Sequence, residues 1–219
     1  MKKNPKTNRY QFSTDTSVLS AKIKIVGVGV GGAGINTVNN LIDLNLKGVQ
    51  FVSVDTDFEG LEISKAPIKL LIGEKITKGK GANGDPLIGS RAAFQSAGAI
   101  KKTFMDSHMV FITVGLGGST GTGAAPVIAK ICKNIGAPVI AIISTPFSFE
   151  GEKRNKQADE GILALNKIVD TIVVKPNDRI RERVSKDETI LNMLKKADEN
   201  IYNLIKSISD SVNISPCSE

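Results

Sequence analysis

Short runs of β-branched and aliphatic residues alternate along this chain with longer stretches whose apolar positions recur at helical spacing. The runs at 22–27, 49–55, 69–72, 109–114, 138–144 and 171–175 predict strands. The stretches at 35–46, 86–101, 123–135 and 151–168 predict amphipathic helices. Strands that are apolar almost throughout, separated by helices, imply an α/β fold: a doubly wound, mostly parallel sheet covered on both faces. A last, long helix follows, because Ile190, Leu194, Ala197, Ile201, Leu204 or Ile205, and Ile208 fall on one stripe. Ser185 and Glu188 have the spacing of a capping box at its start. Residues 1–20 are polar and aperiodic and read as a flexible tail, leaving one domain over 21–212 and a frayed end over 213–219.

Composition narrows the function classes. With 219 residues, 41% of them hydrophobic, the chain can bury one large core. The net charge of +7 raises the question of anionic partners. Part of the excess sits at Lys2, Lys3, Lys6 and Arg9, and with 5% aromatics and no Trp there is no base-stacking platform, so no nucleic-acid partner is expected. Cys132 and Cys217 have neither metal-ligand spacing nor the density of a disulfide framework. No stretch has the length of a membrane span and the N-terminus is too polar for a secretory signal, so direct membrane insertion is not expected and a cytoplasmic setting is. His108 has no nucleophile or acid at an interpretable spacing and is assigned no role.

Glycine is the informative residue. The first cluster, Val26-Gly27-Val28-Gly29-Val30-Gly31-Gly32-Ala33-Gly34, follows a strand and opens a helix, where free N–H groups and the dipole end suit a phosphate. G-x-G-x-x-G occurs at Gly27/Gly29/Gly32 and again at Gly29/Gly31/Gly34, with Asp55 near the distance of a ribose-binding acid. Alone, this cluster suggests a dinucleotide-binding oxidoreductase module, although no proton-transfer residue accompanies it. The second cluster, Gly115-Leu116-Gly117-Gly118-Ser119-Thr120-Gly121-Thr122-Gly123, stands at another strand–helix junction. A dinucleotide domain has no use for it, whereas a triphosphate can be held by two such junctions. The P-loop lysine is absent.

The run Gly117-Gly118-Ser119-Thr120-Gly121-Thr122-Gly123 resembles the GGGTGTG signature of the tubulin/FtsZ family of GTPases. Residues 109–113 and 124–129, Val54-Asp55-Thr56-Asp57, Pro146-Phe147-Ser148-Phe149-Glu150-Gly151 and Pro176-Asn177-Asp178-Arg179 are similar to FtsZ-type sequences in the same order, from about residue 22 to about residue 201. The resemblance implies GTP or GDP, with Mg²⁺, lying across the carboxyl ends of the strands. Gly31, Gly32 and Gly34 would meet the phosphates, with Asn36 nearby. Gly117, Gly118, Ser119, Thr120, Gly121 and Thr122 would hold them from the other side. Asp57 and the turn Gly81-Ala82-Asn83-Gly84 would sense the γ-phosphate and its hydrated Mg²⁺. Glu150 and Arg154 would lie by the ribose, and Asn177 and Asp198 would read the guanine edge. Guanine offers N1–H and N2–H donors to a carboxylate, a pattern adenine lacks.

Three residues depart from the family pattern. Ser119 and Ala33 replace glycines, and Leu194 replaces a Phe that packs on the base; a positive φ at Ser119 would cost about 1 kcal/mol. The resemblance further implies a filament-forming cell-division GTPase whose hydrolytic acids, on an N-x-D-x-x-D loop, come from the adjoining subunit. By alignment that loop falls just past the last residue of this sequence, so the activating acids are expected beyond Glu219. No catalytic residue is therefore assigned within residues 1–219, and nucleotide binding with little hydrolysis by the chain alone is expected. The expected partners are a second copy or a full-length homologue on the nucleotide face, and division-machinery proteins. The alternative reading is a shortened, non-hydrolysing regulator or filament capper.

Overall fold

The computed structural model describes residues 23–182 and 189–213. The tail of residues 1–20, the Ser185/Glu188 capping box and residues 214–219 lie outside them. Glu219, beyond which the activating acids are expected, lies outside them too.

Among the described residues six strands form one sheet: β1 (Ile25–Val30), β2 (Val49–Asp55), β3 (Ile68–Leu71), β4 (Met109–Gly115), β5 (Val139–Thr145) and β6 (Thr171–Pro176). Every pairing is parallel, and the order is β3-β2-β1-β4-β5-β6. The chain reverses direction of travel across the sheet between β1 and β4, which is where open sheets of this kind leave a crevice at their carboxyl ends.

The helices are α1 (Gly31–Asp43), α2 (Phe58–Glu62), α3 (Glu74–Thr77), α4 (Pro86–Gln95), α5 (Ala97–Phe104), α6 (Ser119–Asn134), α7 (Glu152–Asn166), α8 (Asn177–Glu182) and α9 (Ile190–Asn213). Alternate strand residues build two cores. Val26, Val28, Val30, Val110, Ile112 and Val114 pack under α4, α5, α6 and α7 through Ala92, Phe104, Ile128 and Leu165. On the other face Ile25, Phe51 and Phe111 meet Val38 and Leu41 of α1 and Ile201 and Ile205 of α9. Both faces are therefore covered, as the apolar strands require. The predicted stripe of α9 is buried at Ala197, Ile201 and Ile205 and half-buried at Leu194 and Ile208, while Met193, outside the predicted stripe, is buried as well.

Several boundaries differ from the sequence reading; α6, expected from residue 123, starts at Ser119. The first strand continues to Val30 and α1 starts at once, so most of the first glycine cluster is strand rather than loop. Val28 and Val30 are fully buried and favour extended backbone. Gly29 lets α1 lie directly on β1: a Cβ there would stand 2.5 Å from the Gly34 carbonyl oxygen. The helix expected over 86–101 is two, broken at Ser96, whose hydroxyl accepts the Gly73 N–H at 2.9 Å.

Candidate functional site

The two glycine junctions meet. β1 ends at Val30 and passes directly into Gly31, φ +69°, the first residue of α1, and β4 ends in Gly115, after which Gly117 turns the chain at φ +92° into α6. A Cβ on Gly31 would stand 3.0 Å from the Gly121 nitrogen, and one on Gly115 would stand 2.5 Å from the Ala33 Cβ. Each turn thus fills the gap that the other's missing side chain leaves. The N-termini of α1 and α6, with their unpaired N–H groups, open side by side onto one cleft of about 430 Å³.

Hydroxyls and carboxylates order its floor. Thr122 Oγ1 accepts the Gly117 N–H at 2.9 Å, which fixes the turn. Thr120 is held to Thr56, at the end of β2, by a hydroxyl–hydroxyl bond of 2.7 Å. Asp55 accepts the Thr56 N–H at 2.7 Å. Burial pushes the Asp55 carboxyl above its ordinary value, against the lowering effect of bonds from Thr56, Thr120 and Asp57.

One wall is the segment after β2. Asp57 caps α2 by accepting the Glu59 N–H at 3.1 Å, and the Gly81 N–H donates to the Thr56 carbonyl. This places Ala82 and Asn83 on the cleft, with Asn83 at φ +49°. The opposite wall is the β5–α7 turn. Glu150 accepts the Phe147 N–H at 2.9 Å and pairs with Arg154 at 2.7 Å, while Asp178 accepts the Ser148 N–H at 3.1 Å. Asn177 closes this end, and its Oδ1 is buried without a partner. A buried amide oxygen left unpaired costs on the order of 1–3 kcal/mol, which a ligand N–H would recover.

Of the residues expected at a nucleotide, Gly31, Gly32, Asp57, Ala82, Asn83, Gly118, Ser119, Thr120, Gly121, Glu150, Arg154 and Asn177 line this cleft. Gly34, Asn36, Gly84, Gly117, Thr122 and Asp198 do not. Gly34 packs against the Thr113 carbonyl, Gly117 against Pro146 and Arg154, and Thr122 is spent on the turn. Asn36 and Gly84 are exposed beside it. Asp198 is 4% exposed and accepts from Asn40 Nδ2 at 2.6 Å, Lys175 Nζ at 3.1 Å and Thr37 Oγ1 at 3.3 Å. Ser119 is the first residue of α6 and is absent from the positive-φ residues, so it carries no left-handed strain.

Asp55 lines the floor, hydrogen-bonded to Thr120, and Ser144, Thr145 and Pro146 join the wall. The signal for the last three was their place at the carboxyl end of β5, next to the switch point. His108 is structural: its Nδ1 accepts the Lys24 N–H at 3.1 Å.

The strand order alone is shared with dinucleotide-binding domains, so the fold does not decide between ligands. A sequence profile described as the tubulin/FtsZ family, GTPase domain, matches residues 24–185. The chain belongs to the tubulin/FtsZ family.

Solved structures of this family are similar along most of the chain. An FtsZ dimer from M. jannaschii is 43% identical, over 93% of this chain and 59% of that one, with a TM-score of 0.82. CetZ1 from Haloferax volcanii, a GDP-bound monomer, is 28% identical over 86% of this chain and 61% of that one, at TM-score 0.74. CetZ2 from the same organism, a GTPγS-bound protofilament, shares the fold at 23% identity, over 85% of this chain and 58% of that one, with TM-score 0.76. The chain thus spans about three-fifths of the length of these tubulin/FtsZ relatives.

Proposed function

We propose that this domain binds GTP and GDP in the cleft between the two glycine junctions and acts as the nucleotide side of a self-assembling GTPase. One observation carries the reading: two helix N-termini, from distant parts of the chain, open onto a single cavity. One N-terminus suits a single phosphate; two, lined by free amides and Thr120, suit a chain of them. Gly31, Gly32, Gly118, Ser119, Thr120 and Gly121 would meet the phosphates, with Gly34, Gly117 and Thr122 shaping the turns and Asn36 and Gly84 at the margin. Arg154 and Glu150 would flank the ribose, and Asn177 and Asp198 would accept from the guanine edge.

Mg²⁺ fits the residues present. The cleft is lined by the carboxylates of Asp55, Asp57 and Glu150 against one basic side chain, Arg154. A polyanion entering it needs a hard cation, and Asp55 and Asp57 would hold that ion directly or through water. When bound, the ion would neutralise charge developing on the phosphoryl oxygens.

Hydrolysis, in this proposal, requires a second subunit docked on the nucleotide face to position the attacking water. The 43% identity to an FtsZ solved as a dimer supports self-association, and a role in cell division at the division site is the FtsZ-side version of that reading. The test is titration of the purified chain with GTP, GDP, ATP and NAD, followed by phosphate release alone and with a full-length homologue. Micromolar or tighter GTP and GDP binding, with turnover that rises on mixing, is expected. NAD binding in preference to GTP would overturn the assignment, and equal turnover without the partner would overturn the docking requirement.

A further inference from the structure

Lys175 and Asp198 form an enclosed ion pair, with side chains 16% and 5% exposed. Other pairs, such as Lys65–Asp43 at 52% and 55%, stand in water. Lys175 lies on β6, the edge strand, where a lysine can ordinarily turn outward. Here it turns towards α9. Packing alone does not call for this, because an apolar side chain would dock the helix at least as well without stripping water from two charges.

The donors around Asp198 show what the charge does. Oδ1 accepts from Thr37 and Lys175, and Oδ2 accepts from Asn40. A carboxylate offers about four acceptor positions, so about one is left. Two residues on from Lys175, the Asn177 oxygen is buried, unpartnered and on the cleft. The corner between β6 and α9 therefore holds two acceptors with capacity left for an N–H, Asn177 Oδ1 and the Asp198 carboxylate.

We propose that Lys175 is a positioning and specificity-determining residue of the base site: it holds Asp198 as an oriented carboxylate, so that the site takes a base with N–H donors on its edge. This rests on the reading that guanine meets Asp198. Around that carboxylate α1 presents the neutral Thr37 and Asn40, and β6 presents Lys175. On α9 the charged neighbours Lys195 and Glu199 are exposed, and Asp178 of α8 is bonded to Ser148.

The experiment measures GTP, XTP and ATP affinity for the whole chain and for K175M, K175R and D198N, with melting curves as a folding check. K175M loses about tenfold in GTP affinity, whereas its ATP affinity changes little. K175R, which keeps a charged donor, holds GTP affinity near wild type. If K175M does not fold, K175Q, which keeps an N–H donor without the charge, shows the same selective loss. A folded K175M or K175Q with wild-type GTP affinity overturns the proposal, as does equal weakening of GTP and ATP. D198N tests the reading beneath: it should turn the preference towards XTP, whose C2 carbonyl suits an amide N–H. A D198N protein with unchanged base preference sinks that reading rather than the role of Lys175.

Discussion

Thr56 and Thr120, 64 residues apart, share a hydroxyl–hydroxyl hydrogen bond of 2.7 Å beneath the cleft. Thr56 is wholly buried, and its carbonyl also accepts from the Gly81 N–H and from Thr77 Oγ1. Thr120 faces the cavity. The bond joins the end of β2 to the start of α6, so one residue braces the floor and the other lines the cleft, where the proposed ligand would lie. T56V and T120V should each lower unfolding free energy by about 1 kcal/mol. Only T120V should also weaken GTP binding severalfold, as titration against urea-unfolding controls would show. Equal loss of affinity in both would reduce Thr120 to a structural role.

Adjacent glycines separate folding from binding. Gly117 has φ +92°, and a Cβ there would stand 2.6 Å from Pro146 Cγ and 2.8 Å from the Arg154 carbonyl oxygen. G117A should destabilise the domain by about 2–4 kcal/mol. Gly118 has φ −91° and no heavy atom within 4 Å of its would-be Cβ. G118A should leave stability within about 0.5 kcal/mol of wild type, yet place a methyl group at the phosphates. Melting temperature and GTP affinity measured side by side would test the split; a G118A protein that binds normally contradicts it.

Asp55 gives a pH dependence with a definite sign. Its folded value lies above the ordinary 3.8 because of burial. Between 3.8 and the raised value the folded state holds the extra proton, so stability falls as pH rises through that window, and the cost persists above it. D55N should therefore melt higher than wild type at neutral pH, with the advantage shrinking to nothing below pH 3.8. It should also bind GTP more tightly when Mg²⁺ is withheld, since a carboxylate no longer faces the phosphates. An advantage that grows on acidification would refute the assignment.

Cys132 should be chemically silent. It is fully buried in α6, and burial pushes its thiol up to about 12. In a C217S background, a thiol reagent at about pH 8 should react only at the rate of unfolding, accelerating with urea. Rapid labelling of the native protein would show that α6 opens locally.

Much of this was legible from local pattern. β2 was placed residue for residue, because a β-branched run between Gly48 and Thr56 leaves little choice. The doubly wound sheet and the pairing of two phosphate-type turns followed from strand–glycine–helix order. What escaped had short reach or long range. Helices α2, α3 and α8 are too brief for a helical period to register. Gly29 read as loop because a phosphate motif and a packing motif use the same residue. The Asp198 contacts span 23 to 161 residues of sequence, and no window on α9 reveals that its aspartate is enclosed by α1 and β6.

The mutual fit of the junctions at Gly31 and Gly115 has a mechanical side. It lies on the seam between β1 and β4, where the half-sheet β3-β2-β1 adjoins the half-sheet β4-β5-β6. A molecule gripped by both turns acts as a rivet across that seam. Protease resistance of the core, rather than of its rim, should then be the property that rises most when the cleft is filled.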